Sequence, residues 1–202
     1  MEAVIENFVT SATDADQDGW AGTPEGSWHN LFLQVAEGRA EALAQLYDLA
    51  ADRLYGLAFW HTGSRDEAQD VVQETFIRVA QQGDRLRRVR RPRAWLLTVA
   101  HRLAVDVVRR RRRHSAEPLE NHPFLVAVVD DPDRVADAHR LARMVAGLPR
   151  TQRDALYLRH FADCSFSEIG RIVGVPTFTA ASRYRMGLAR LRAAAGGTHE
   201  QK

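Results

Sequence analysis

The chain of 202 residues has one cysteine, one lysine and no apolar run of membrane-spanning length. A single cysteine, Cys164, excludes an intrachain disulfide and a zinc site built from cysteines. A transmembrane helix needs roughly 20 consecutive apolar residues, and the acidic N-terminus lacks the layout of a signal peptide. We therefore expect no membrane insertion and a cytoplasmic protein.

Signs of catalytic chemistry are also scarce. The eight histidines are scattered, and none has metal-ligand spacing with another histidine or with the cysteine. No glycine-rich phosphate loop is present. An enzyme is therefore disfavoured, and we expect no cofactor.

Positive charge is abundant but unevenly placed. The formal net charge is only +2, yet residues 78–113 contain thirteen arginines against Asp84 and Asp106. Five consecutive arginines, 109–113, close an apolar-faced helical pattern. Clustered arginine is typical of a protein that binds a phosphate-rich partner such as nucleic acid. The alternative is a set of solvated faces in an arginine-rich chain.

Apolar residues recur at spacings of three and four, and no alternating strand pattern of useful length is present. The sequence therefore predicts an all-α protein. Pro118, Pro123 and Pro132 favour a flexible linker between two small helical domains. The predicted divisions are an acidic, mostly disordered tail 1–27, a domain 28–113, a linker 114–134, a second domain 135–195 and a short tail 196–202.

The segment from Ser165 to Arg192 has the pattern of a helix-turn-helix. Ser165 and Glu168 form a capping box, and Gly174 can adopt the left-handed conformation that ends the first helix. The N-terminal half of the second helix would then face the major groove of DNA. A two-helix corner can also be a packing unit without any role in DNA binding. The residues predicted to face DNA are Thr177, Phe178, Thr179, Ala181, Ser182, Arg183 and Arg185.

A second helix, near residues 65–82, carries a polar stripe beside its apolar one. Asp70, Gln73, Glu74 and Ile77 share one face at helical spacing, while Val71, Val72 and Phe76 lie on other faces. Such a stripe suits a partner surface as well as solvent.

Three stretches together resemble a known family. "DEAQDVVQETFIRVA", "RPRAWLLTVAHRLAVDVVRRRRR" and "LPRTQRDALYLRHFADCSFSEIGRIVGVP…SRYR" are similar, in order and spacing, to the bacterial extracytoplasmic-function (ECF) sigma factors. The resemblance covers about residues 28–193. It implies a non-enzymatic protein with two helical DNA-binding domains, a region 2-like and a region 4-like one, which directs core RNA polymerase to promoters.

The resemblance also implies a role for each stretch. Core polymerase would be bound by Asp70, Gln73, Glu74, Phe76 and Ile77. The −35 element would be read by the helix-turn-helix residues named above. The −10 element would be held by Arg88, Arg91, Arg93, Trp95, Arg102, Arg109, Arg110, Arg112 and Arg113, although Trp95 is also a candidate core residue.

Two departures from the family pattern stand out. His101-Arg102 replaces a frequent Arg-Asn, and Phe178 adds bulk at the start of the recognition helix. The family further implies an anti-sigma factor as partner. The rival interpretations are a stand-alone helix-turn-helix regulator that acts without polymerase, and an adaptor that binds polymerase but not DNA.

The acidic tail contains one further pattern. "DADQDGWAGTPE" matches a calcium-binding loop in which Asp14, Asp16, Asp18 and Glu25 would supply oxygens. Ala21 and Pro24 depart from that pattern, and the loop is single whereas such loops usually pair. An acidic disordered tail is the competing interpretation.

Overall fold

The structure is a computed structural model that describes residues 23–114, 141 and 143–196. The described elements are helices α1 (Glu25–Ala36), α2 (Ala40–Thr62) and α3 (Arg65–Gln82), a 3-10 helix (Gly83–Arg88), then α4 (Pro92–His114), α5 (Arg150–His160), α6 (Phe166–Val173) and α7 (Thr177–Gly196). Residues 143–146 are also helical. The predicted all-α fold is confirmed.

The helix ends follow local chemistry. The Ser64 hydroxyl accepts a hydrogen bond from the backbone N–H of Glu67 and caps α3. Ser165 and Glu168 form the complete capping box of α6. Gly174 has φ of 72° and ends that helix, as predicted, because only glycine adopts this conformation without strain.

The first helix starts inside the segment predicted as the tail 1–27. Helix α1 begins at Glu25, since Pro24 fixes an extended backbone before it and Glu25 places a negative charge in the first turn. The segment after α3 forms a 3-10 helix, and the buried side chain of Leu86 holds it against the core. The linker 114–134 beyond His114 and residues 1–22 and 197–202 lie outside the described residues.

The N-terminal domain is built around α2, which packs against α3 and α4, while α1 covers α2 and the 3-10 helix. In the C-terminal domain, α5 and α6 pack on α7. The domains also contact one another, α2 against α5 and α4 against α6. Their buried side chains form one continuous core.

The contact between the domains is close at Gly56 of α2. A Cβ there would collide with the hydroxyl of Tyr157, which donates a hydrogen bond to the carbonyl of Arg53 at 2.9 Å. Trp60 packs against Tyr157 and Phe161 with ring centroids 5.3 and 5.9 Å apart. The absence of a side chain at Gly56 thus lets α5 approach α2.

Candidate polymerase- and DNA-binding surfaces

The outer face of α3 forms one wall of a groove of about 710 Å³ between α3 and α4. Asp70, Gln73, Glu74 and Ile77 line this groove, as the helical spacing predicted. Ile77 is 49% exposed and lies in this groove beside Val107 of α4, so the groove has an apolar floor that solvent reaches. From α4, Val107 and Arg110 line the other wall. An apolar centre with charges of both signs around it suits a protein partner.

Phe76 does not line this groove, unlike the other four residues assigned to polymerase binding, and its assignment as a polymerase contact stays a prediction. It is only 8% exposed and packs against Tyr47 with ring centroids 4.8 Å apart. Phe76 lies on the inward stripe of α3 with Val72 and Val79, both buried. Its role is to anchor α3 to α2.

The arginine run at the end of α4 divides into two groups. Arg111 is half-buried and donates to Glu67 Oε2 at 2.8 Å and to the carbonyl of Thr62 at 3.0 Å. It therefore fixes α4 against α2 and α3. The other four arginines of the run are exposed, and so is Arg102 earlier in the same helix. The exposed members are Arg102, Arg109, Arg110, Arg112 and Arg113.

A second groove, of about 660 Å³, lies where the 3-10 helix meets α4. Arg88, Arg91 and Trp95 line it, joined by Arg85 and Arg90. Trp95 is half-buried, and its ring meets that of Phe32 edge to face at 5.8 Å. The packing on Phe32 supports the interpretation of Trp95 as a core residue, while its contact with DNA stays a prediction. One edge is core, and another part faces a groove rich in arginine, where a base could stack.

Arg93 is engaged differently from its neighbours. Its guanidinium donates to the carbonyl of Ala162 in the C-terminal domain at 3.2 Å. Nearby, Arg91 lies 3.7 Å from the Glu168 carboxylate. In this arrangement Arg93 joins the two domains, and its assignment as a DNA contact stays a prediction.

The N-terminal turns of α7 present the predicted recognition surface. Phe178 is 74% exposed, and Thr177 and Arg185 are also exposed. Thr179, Ala181, Ser182 and Arg183 are half-buried in the first two turns of the helix. Ala180, Leu188 and Leu191 of the same helix are buried and face the core. The surface is thus small, with the large apolar side chain of Phe178, three hydroxyl groups on Thr177, Thr179 and Ser182, and flanking arginines.

Two family models match the chain in the order of its two domains. The model for sigma-70 region 2 matches residues 46–114, and that for sigma-70 region 4 matches residues 138–191. An ECF RNA polymerase sigma factor SigK of Mycobacterium ulcerans (strain Agy99) is 30% identical over 168 residues, which cover 80% of this chain and 90% of the relative. The chain belongs to the ECF RNA polymerase sigma factors. As a sigma factor, it binds core RNA polymerase and promoter DNA and directs transcription initiation.

Other relatives agree. SigW of Bacillus subtilis (strain 168), an ECF sigma factor, is 28% identical over 79% of this chain and 91% of its own length. Among solved structures, CnrH in complex with the cytosolic domain of CnrY matches with a TM-score of 0.65 and 22% identity over 85% of this chain and 98% of that chain. RpoE bound to the anti-sigma factor NepR from Bartonella quintana gives a TM-score of 0.58 over 76% of this chain and 96% of that chain. Within the part of the ECF sigma factor that the structure describes, no helix has the length and hydropathy to cross a bilayer.

One cluster escaped the sequence analysis altogether. His61 at the end of α2, His101 in α4 and Asp154 in α5 are all buried and lie together at the domain interface. His61 Nε2 is 2.9 Å from Asp154 Oδ1, and His101 Nε2 is 3.5 Å from Asp154 Oδ2. The three are 40 and 53 positions apart along the chain, so no local spacing signals them. The only hint was the departure from the family pattern at His101.

Burial sets the charge state of this cluster. It lowers the pKa of His61, which stays neutral against the pull of the Asp154 carboxylate. Burial alone would raise the pKa of Asp154, but the two partner imidazoles hold it well below its usual range. Asp154 is therefore a buried carboxylate anion between two imidazole nitrogens.

Proposed function

We propose that this ECF sigma factor binds core RNA polymerase through the groove between α3 and α4. The observation that carries this assignment is the exposure of Ile77 in the middle of a polar rim. When a partner covers a half-exposed aliphatic side chain, the apolar surface that leaves water makes the free energy of binding more favourable. Asp70, Gln73 and Glu74 around it would set the orientation of the partner through hydrogen bonds and charge.

We further propose that the two arginine-rich surfaces read the promoter. The groove around Trp95, with Arg88 and Arg91, is placed to hold unpaired bases and phosphates of the −10 element. The exposed arginines of α4 would extend this track along the backbone. Helix α7 would enter the major groove at the −35 element, with Phe178, Thr179 and Ser182 near the base edges. Arg93 would join the −10 contacts only after it leaves Ala162, which requires the domains to separate.

Run-off transcription with core polymerase on a library of bacterial promoters tests the assignment. We expect discrete new start sites with the wild-type protein, with shared sequences upstream that define both elements. The combined variant Asp70→Ala and Ile77→Ala should lose most of this activity and most of its affinity for core polymerase. Gln69→Ala is the matched control, because Gln69 is exposed on α3 but outside the groove.

Two outcomes would count against the proposal. DNA binding without core polymerase and without new start sites would favour the stand-alone regulator. Normal transcription by the combined Asp70 and Ile77 variant would refute the groove as the polymerase contact while leaving the family assignment intact.

A protein inhibitor is a further part of the proposed function. CnrH and RpoE were solved in complexes with the cytosolic domain of CnrY and with the anti-sigma factor NepR. We propose that an anti-sigma factor covers the same α3–α4 groove in this chain, in the cytoplasm where polymerase acts, and that the chain has no enzymatic activity. Co-purification of a partner that the combined Asp70 and Ile77 variant fails to retain is the expected result.

Calcium binding by Asp14, Asp16, Asp18 and Glu25 stays a separate proposal, since the three aspartates lie outside the described residues. Glu25 opens α1, where its carboxylate is exposed. Calorimetry of the purified chain with calcium should show heat of binding that the Glu25→Gln variant lacks. Absence of heat with the wild-type chain refutes it.

A further inference from the structure

The domain interface contains a set of side chains that the promoter and polymerase surfaces do not use. His61, His101 and Asp154 come from three different helices, two in the N-terminal domain and one in the C-terminal domain. All three are buried. One candidate ligand atom from each lies within 4.8 Å of the other two.

The geometry of the three side chains differs from that of a simple hydrogen-bonded network. His61 Nε2 lies 2.9 Å from Asp154 Oδ1, yet neither atom makes an aligned hydrogen bond with any residue of the described chain. The N–H direction of the imidazole therefore misses the carboxylate oxygen. Two donor atoms that are close but not aligned with each other can both point at a third position.

A metal ion would occupy such a position. Nitrogen and oxygen ligands at about 2.0–2.2 Å from a tetrahedral zinc ion lie about 3.3–3.6 Å from each other. The distance of 3.5 Å between His101 Nε2 and Asp154 Oδ2 matches this separation, whereas the 2.9 Å between His61 Nε2 and Asp154 Oδ1 would have to lengthen by about 0.5 Å on metal binding. The rings of His61 and His101 meet edge to face with centroids 4.8 Å apart, so the two side chains would have to turn toward a shared ion before both could bind it.

We propose that His61, His101 and Asp154 form a binding site for a divalent transition-metal ion, with zinc as the first candidate. Two imidazoles and one carboxylate are a ligand set that zinc and cobalt accept, with a further position for water or another ligand. Because the ligands come from both domains, a bound ion ties α2 and α4 to α5. The ion would stabilise the closed arrangement in which Arg93 is held away from DNA.

The surrounding charges set the strength of the site. Arg150 donates to the carbonyl of His61 at 3.2 Å, and Arg150 and Arg153 both interact with the Asp154 carboxylate. These guanidinium groups would compete with the metal ion for the negative charge of the Asp154 carboxylate. We therefore expect micromolar rather than nanomolar affinity for the metal, so that occupancy follows the metal supply.

Titration of the untagged full-length protein with Co²⁺ tests the site, since cobalt bound to nitrogen and oxygen ligands gives a visible d–d absorption band. We expect a saturable band at one equivalent, displaced by Zn²⁺, and a higher melting temperature in Zn²⁺ than in EDTA. The variants His101→Gln and Asp154→Asn should weaken Co²⁺ affinity at least 100-fold.

Control variants separate this site from the acidic segment. The double variant Asp14→Asn and Asp16→Asn should bind Co²⁺ as the wild-type chain does. A wild-type protein without a saturable band or a Zn²⁺-dependent melting shift would overturn the proposal and leave a hydrogen-bonded latch only. Full binding by the folded His101 and Asp154 variants would also overturn it. Neither result bears on promoter-directed transcription, which is measured independently.

Discussion

The N-terminal domain buries its largest side chains between its own helices, whereas the C-terminal domain buries several aromatic side chains against its neighbour. Trp28, Phe32 and Leu46 are fully buried within the first domain. Tyr157 and Phe161 of the second pack on Trp60 of the first. The C-terminal domain is the smaller of the two, and a smaller domain buries less apolar surface of its own. We therefore expect its stability to depend more strongly on the contact between the domains than that of the N-terminal domain does.

Of the changes considered, replacement of Tyr157 by alanine should reduce the stability of the protein most. Tyr157→Ala deletes a buried ring at the interface and its hydrogen bond to the carbonyl of Arg53, which should cost about 3–5 kcal/mol in the free energy of unfolding. Tyr47→Ala is the matched control, because Tyr47 is 46% exposed on the N-terminal domain. Urea denaturation measures both. Equal losses of unfolding free energy in the two variants would mean that Tyr157 at the domain interface contributes no more to stability than an exposed tyrosine.

Acid should destabilise the C-terminal domain next. Burial lowers the pKa of His160 to about 4 from its usual 6.5, with a smaller effect of Arg159, and the ring lies 3.1 Å from the Tyr184 hydroxyl. The unfolded chain then binds the proton more readily than the folded one. Stability is therefore complete above pH 6.5 and is lost as the pH falls toward 4, by up to roughly 3 kcal/mol.

Urea denaturation between pH 7 and pH 4 measures this loss. The His160→Gln variant should show a smaller decrease over the same range, because the titrating group is gone. An unchanged pH dependence in that variant would assign the acid sensitivity to other groups.

Arg111 and Arg110 compare a structural with a surface arginine inside the N-terminal domain. Arg111→Ala removes the contacts with Glu67 and Thr62 and should cost about 1–2 kcal/mol. Arg110→Ala should change stability by less than about 0.5 kcal/mol but weaken promoter binding and reduce its salt dependence. Thermal unfolding and promoter titration at several salt concentrations distinguish them. If the Arg111→Ala variant were as stable as the wild-type protein, Arg111 would not differ from the exposed arginines of residues 109–113.

The smallest effect concerns Phe178 on the C-terminal domain. An exposed aromatic at the start of a recognition helix can contact the methyl group of thymine. Replacing thymine by deoxyuridine in the −35 element removes only that methyl, and wild-type binding should weaken about three-fold. Phe178→Ala should bind both promoters alike. Equal sensitivity of the two proteins to deoxyuridine would place Phe178 away from the bases.

Local sequence was sufficient for the helices and for much of the candidate surfaces. Ser64, the Ser165–Glu168 box and Gly174 fix helix ends through contacts within a few residues. The helical spacing of Asp70, Gln73 and Ile77 placed them on one face because 3.6 residues make a turn. The family resemblance assigned polymerase binding and promoter binding to these surfaces. Periodicity alone did not distinguish a partner surface from a solvent-exposed one.

Tertiary structure alone decided which of several similar residues are buried in contacts and which are exposed. The sequence determined an all-α chain with an arginine-rich helix and a helix-turn-helix, since caps, turns and apolar spacing are local. Only the packed structure separated Arg111 and Arg93, which bind protein carbonyls, from their exposed neighbours. Only packing withdrew Phe76 from the surface and brought His61, His101 and Asp154 together. These outcomes depend on contacts between residues 29 to 93 positions apart, which no local pattern encodes.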